Sequence, residues 1–154
     1  MNALLGLRYL WAAPATAIGL VAASSALMLG ARGDVVEGVL EVHGGLLAGA
    51  VLRLPAEMRF SAITLGHVIL GLAPDVLAQV RPHEKAHVRQ YERWGVLFFP
   101  LYAASSLVAW LNCRSPYWHN HFERQARHEA ALDERRAQGE SQEVVRPGAV
   151  RPRA

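Results

Sequence analysis

The chain has a single cysteine, Cys113, in 154 residues, which excludes an internal disulfide and any thiolate-based zinc cluster. A metal held here has to be held by imidazole and carboxylate. Acidic residues are few as well: 13 Asp and Glu against 16 Lys and Arg leave a formal charge of +3. Much of the basic excess gathers toward the C-terminus, at Arg124, Arg127, Arg135, Arg136, Arg146, Arg151 and Arg153. That distribution suits anionic lipid or a solvated tail. No aromatic-studded basic sheet, zinc knuckle or recognition helix accompanies it, so nucleic acid is not an expected partner. There is no internal repeat, and the length has room for one domain with a single hydrophobic core.

Apolar residues are abundant, at 52% with a mean hydropathy of +0.13, and they are concentrated rather than spread. Residues 10–29 (LWAAPATAIGLVAASSALML) carry no charge and reach about 30 Å as a helix, enough to cross a bilayer core. This predicts a transmembrane anchor or export signal over residues 1–31. Its density of Ala, Gly and Ser also suits a closely packed helix interface. Arg8 precedes it, while Arg32 is followed by Asp34, Glu37 and Glu41, so the positive-inside rule places the N-terminus in the cytoplasm and the remainder outside.

Residues 35–36, 38–42 and 62–70 are β-branched runs punctuated by glycine and predict short strands, with the last run read as one strand. Pro74 and Asp75 open a short helix through Gln79, and Pro82 starts another that ends at Trp94 before Gly95. Residues 96–111 (VLFFPLYAASSLVAWL) are apolar throughout, short for a crossing but ample for a core or half-inserted helix. If they crossed, the helices on either side would be separated by the membrane. Asn120 is a suitable N-cap for a last helix from His121 to about Arg136, and residues 138–154 predict a disordered tail. The expected class is therefore α+β, with an N-terminal hydrophobic transmembrane helix, short strands and a helical core over residues 32–137.

Chemistry concentrates in His83-Glu84-Lys85-Ala86-His87. Two histidines four apart on a helix lie one turn above the other, so both imidazoles can reach one ion. The glutamate beside the first can address a water on that ion. With 7 His and 10 Glu in the chain, the pattern would arise in roughly 2% of shuffled sequences. At about 100° per residue, His87, Gln90 and Trp94 fall within about 40° of His83, while Lys85, Arg89, Glu92 and Arg93 point away. The histidines thus occupy the buried face, where an imidazole needs a partner: a metal ion, or a backbone carbonyl or carboxylate.

A zinc site needs a third protein ligand and an open position. Glu123 is the expected one, because it shares a narrow helix face with Ala126 and Ala130 that can pack closely on another helix. The spacing from Asn120 also fits a helix cap, which is the competing role for Glu123. His119, His121 and His128 are the other candidates; His128 points about 140° away from Glu123 on a helix.

These residues resemble the gluzincin-type zinc metallopeptidases, particularly minimal bacterial forms, some found beside secreted toxins and some in small membrane-associated proteins. The likeness covers about residues 60–130. It rests on the 62–70 run as the strand before the motif helix, on residues 83–90 as the motif with its Val and Gln continuation, and on residues 123–126 as the third-ligand helix. Such families often carry an aspartate soon after the third-ligand glutamate, where this chain has Arg127; Asp133 lies too far along to replace it. The resemblance implies a zincin-like core with zinc on His83, His87 and Glu123, and Glu84 as general base for peptide-bond hydrolysis. It implies a peptide or protein substrate held along the 62–70 strand, with Tyr91 or a neighbouring histidine on the oxyanion. His67 reads as an ordinary strand residue. The alternative is a non-catalytic membrane accessory or binding protein that keeps zinc for stability.

Overall fold

Residues 3–55 and 59–145 are described by a computed structural model, and together they form five α-helices and a four-stranded sheet. Helix α1 (Ala3–Met28) leads into β1 (Ala31–Val36) and β2 (Val39–Gly44), then the short α2 (Gly45–Val51). Next come β3 (Ala62–Leu65), β4 (Val68–Gly71) and α3 (Pro74–Trp94). A 3₁₀ turn at Gly95–Leu97, α4 (Phe98–Leu111) and α5 (His121–Val145) follow. The sheet order is β1-β2-β4-β3, with β2 and β4 parallel and the other pairs antiparallel. The α+β class with an N-terminal apolar helix is what the sequence led us to expect.

Strand side chains alternate between two faces, and each face meets a different helix. Leu40, Val42, Val68 and Leu70 pack against Ala23 and Ala26 of α1. Val39 and Ile69 pack against Leu77 and Val88 of α3. A third cluster joins Ala12 and Ala15 of α1 to Tyr91, Phe98 and Phe122. Val68 and Ile69 are fully buried, and each such side chain contributes about 1.5–3 kcal/mol of burial.

The small residues of α1 are its packing face. At Gly19 a Cβ would lie 2.5 Å from the Leu65 carbonyl oxygen and 2.8 Å from the Val68 Cβ, so the helix approaches the sheet where it has no side chain. The hydrophobic N-terminal segment is thus docked on the domain along one stripe. Its outer face remains apolar and exposed, with Leu10 at 71%, Val21 at 69% and Met28 at 88% accessibility. Two helical runs, Gly6–Met28 and Pro74–Leu111, are long and apolar enough to cross a membrane.

Three local expectations are corrected. The 62–70 run is a hairpin rather than one strand: Gly66 adopts φ +63° and lets the chain turn against Thr16, where any side chain would collide. The helix over residues 74–94 is continuous, with Pro74 in its first turn and Pro82 inside it. Proline at an interior position costs a hydrogen bond and about 3 kcal/mol. That cost is offset on both sides of Pro82, by Leu77 before it and Val88 after it against the sheet and by the Arg81 guanidinium on Glu41 at 2.7 and 2.9 Å. The last helix runs to Val145 rather than Arg136, and the rest of the predicted tail, 146–154, lies outside the described residues.

Gly19→Ala should lower stability by about 1–3 kcal/mol through overpacking, whereas Gly6→Ala, with nothing within 4 Å, should be neutral or stabilise by up to about 1 kcal/mol. Thermal unfolding followed by circular dichroism in detergent measures both. Equal effects would mean that α1 is not docked.

Candidate metal centre

His83 and His87 stand one turn apart on α3, with ring planes at 86° and Nε2 atoms 3.1 Å from each other. The third group is carried by α5, and its placement begins at Asn120. That side chain is fully buried. Its Oδ1 accepts from the Phe122 N–H at 2.8 Å, and its amide donates to the Tyr102 carbonyl at 3.0 Å and to Ser106 Oγ at 2.7 Å. The residue expected as a helix cap therefore also fastens the start of α5 to the middle of α4. Ala126 and Ala130, both buried, give α5 a close-fitting face. Glu123 then lies between the histidines, Oε2 at 3.3 Å from His83 Nε2 and Oε1 at 3.3 Å from His87 Nε2. The Asn120 N–H bonds to the Tyr117 carbonyl at 3.2 Å, so Glu123 is not spent as a capping partner.

The surrounding groups orient these atoms. Gln90, aligned with the histidines by helical phase, accepts from His87 Nδ1 at 2.9 Å and donates to the Phe122 carbonyl at 3.0 Å. With Nδ1 donating to Gln90, Nε2 is the His87 nitrogen that faces Glu123 and would bind a metal ion. The Tyr102 hydroxyl donates to Glu123 Oε1 at 2.8 Å, while Oε2 is buried without a hydrogen-bond partner. Burial acts to raise the Glu123 pKa, but the neighbouring His83 and His87 imidazoles and the Tyr102 hydroxyl outweigh it and hold the carboxyl well below the usual carboxylate range. Two imidazole nitrogens and a carboxylate, with ligand atoms all within 4.8 Å of one another, form a set that could hold a metal ion. The unpaired Oε2 fits a cation, and the nitrogen and oxygen donors suit zinc.

Glu84 is 6% exposed, and the Thr64 hydroxyl of β3 donates to its Oε2 at 2.6 Å. Both line a cavity of about 900 Å³ together with His83, His87 and Glu123. Phe60, Ile63, Tyr117 and Trp118 line the same cavity and are exposed to solvent, so they form its apolar rim.

The remaining candidates separate cleanly. His119, His121 and His128 are exposed and outside the cluster. Tyr91 is 2% exposed, with its ring against Phe98 at 4.4 Å, and joins the core to the wall of the cavity. His67 sits in the β3–β4 turn rather than in a strand. Its ring stacks on Tyr9 at 4.0 Å, with Nδ1 3.1 Å from Thr16 Oγ1 and Nε2 3.3 Å from Glu92 Oε1, so it ties α1 to α3. Sequence reasoning missed Thr64, Tyr102 and Tyr117. Thr64 had one signal, a hydroxyl in an otherwise apolar run. Burial, then the Glu123 carboxylate, push the Tyr117 phenol up to about 12, so it stays a proton donor beside the site.

Gln90→Leu removes the acceptor that orients His87 and should weaken zinc binding by about 10–100-fold. Competition with a chromophoric chelator measures this, with circular dichroism reporting the helix content. Unchanged affinity would show that Gln90 supports packing only.

Comparison with protein-family models, with curated proteins and with solved structures finds no match.

Proposed function

We propose that this protein is a membrane-associated zinc metallopeptidase with a zincin-like core. The observation that carries the reading is the convergence of His83, His87 and Glu123 from two helices, with Glu84 beside them in one cavity. Zinc, when bound, supplies Lewis acidity that polarises a peptide carbonyl and acidifies water. Glu84, oriented through Oε2 by Thr64, is the general base, with Oε1 the atom that takes the proton. Strand β3 is an edge of the sheet and lines the cavity, so an extended peptide or protein substrate can pair along it by backbone hydrogen bonds. The Tyr117 hydroxyl, which lines the cavity and stays protonated, is the oxyanion donor in this reading.

The apolar outer faces of α1 and α4 lie against lipid in this reading, and the packing of Ala12 and Ala15 on Tyr91, Phe98 and Phe122 keeps the metal centre alongside α1. What supports it is the return of the chain after α4: Asn120 bonds to Tyr102 and Ser106 in mid-helix, so α4 does not part α3 from α5. Impermeant thiol reagents should therefore label Arg93→Cys and Arg135→Cys, each in a Cys113→Ala background, from the same side of sealed vesicles. Labelling from opposite sides would rule out a shared metal centre.

Elemental analysis of detergent-purified protein should find near-stoichiometric zinc in the wild type and little in His83→Ala or Glu123→Ala. Glu84→Gln should keep the metal and lose at least about 100-fold in peptide hydrolysis. A wild type that takes up no zinc would sink the proposal. Zinc with activity indifferent to Glu84→Gln would favour the non-catalytic, zinc-stabilised reading.

A further inference from the structure

Among the described residues, two arginines that the chemistry above does not use line the metal cavity, Arg59 and Arg127, and Arg127 is the one beside the ligand Glu123. It stands one turn beyond Glu123 on α5 and lines the cavity. Its guanidinium is held from behind: Nη2 donates to the Trp118 carbonyl at 2.7 Å, and the carbon centre lies 5.0 Å from the Trp118 ring centroid and 5.8 Å from that of Tyr117. Nη1 is buried and has no hydrogen-bond partner. Its ion-pair partner, Glu123 Oε2, is 3.7 Å away, beyond hydrogen-bond reach. Of the cavity's own carboxylates, Glu84 accepts from Thr64 and Glu123 faces His83 and His87 and accepts from Tyr102, so neither supplies a hydrogen bond to Nη1. A buried guanidinium N–H without an acceptor is costly unless something fills it, and the planar fork matches a carboxylate in particular.

We propose that Arg127 is a carboxylate receptor in the wall of the metal cavity, selecting peptides that present a carboxylate next to the bond to be cut. This rests on the peptidase reading and adds the substrate class to it. The carboxylate is supplied either by the end of the peptide chain or by an aspartate or glutamate side chain. Stacking on Trp118 and Tyr117 fixes the guanidinium before the ligand arrives, so little conformational freedom is lost on binding.

Calorimetry on full-length, zinc-loaded Glu84→Gln protein tests the receptor without turnover. The probes are N-acetyl-trialanine, its C-terminal amide, and N-acetyl-Ala-Glu-Ala-amide. At least one of the two carboxylate peptides should bind about tenfold or more tightly than the neutral amide, and which one identifies the source of the carboxylate. Arg127→Gln should abolish the preference, and Arg127→Lys, which keeps the charge but not the fork, should reduce it severalfold. A structural role alone would alter stability and leave the preference unchanged. No preference in the parent protein overturns the proposal, as does a preference that survives Arg127→Gln. If that variant does not fold, an undiminished preference in Arg127→Lys overturns it. Cleavage of acid and amide peptides at equal rates would reject the receptor while leaving the peptidase standing; carboxylate preference without cleavage of any peptide would do the reverse.

Discussion

The buried side chain of Asn120 is the interaction on which the candidate metal centre depends. A fully buried amide has to find hydrogen bonds, and this one finds them in the first turn of α5 and in the middle of α4 at once. Those bonds set where the chain turns back after α4. They thereby bring α5 alongside α3, so that Glu123 enters the space between His83 and His87. Without that reversal the two halves of the ligand set would lie on helices with no reason to meet.

Helix α3 is held on several sides, and each side has its own chemistry. Toward the sheet, Leu77 and Val88 pack on Val39 and Ile69, the Arg81 guanidinium grips the Glu41 carboxylate, and Thr64 reaches Glu84. Removing one partner of a buried ion pair costs about 3–5 kcal/mol, and the partial exposure of Arg81 puts this pair below that figure. Toward α5, Gln90 bonds to the Phe122 carbonyl and Arg89 to Glu129. Toward β1 and β2, Lys85 pairs with Glu37 of their connecting turn. Apolar burial supplies the attraction, and the polar contacts fix the rotation of the helix, which decides where the histidines point.

The same architecture accounts for an apolar exterior beside a polar interior. Small residues of α1 face the domain, and larger ones such as Leu10, Val21 and Leu27 face outward. On α4 the aromatic residues Phe98 and Tyr102 turn inward, and Leu107, Val108, Trp110 and Leu111 turn out. Exposed apolar surface on this scale is unfavourable in water and favourable in lipid. The proposed function puts the cavity, with its rim of Phe60, Ile63, Tyr117 and Trp118, in reach of polypeptide at a membrane.

Much was legible from residue order because the signals were local. The His83–His87 spacing, the phase of Gln90, the charge-free segment near the N-terminus, the cap at Asn120 and the small-residue face behind Glu123 all follow from helix geometry. What order alone left open were questions of distance between segments: whether Glu123 or one of three nearby histidines joins the pair, whether α4 separates its neighbours, and whether the N-terminal helix stands apart or docks. Local rules also misjudged residues 62–70, where a turn at Gly66 is required by the approach of α1, and Pro82, whose local penalty is outweighed by contacts on both sides. Spacing along a helix follows from backbone hydrogen bonding within one turn. The meeting of helices depends instead on burial and on hydrogen bonds between residues far apart in the chain, and only the folded arrangement settles those.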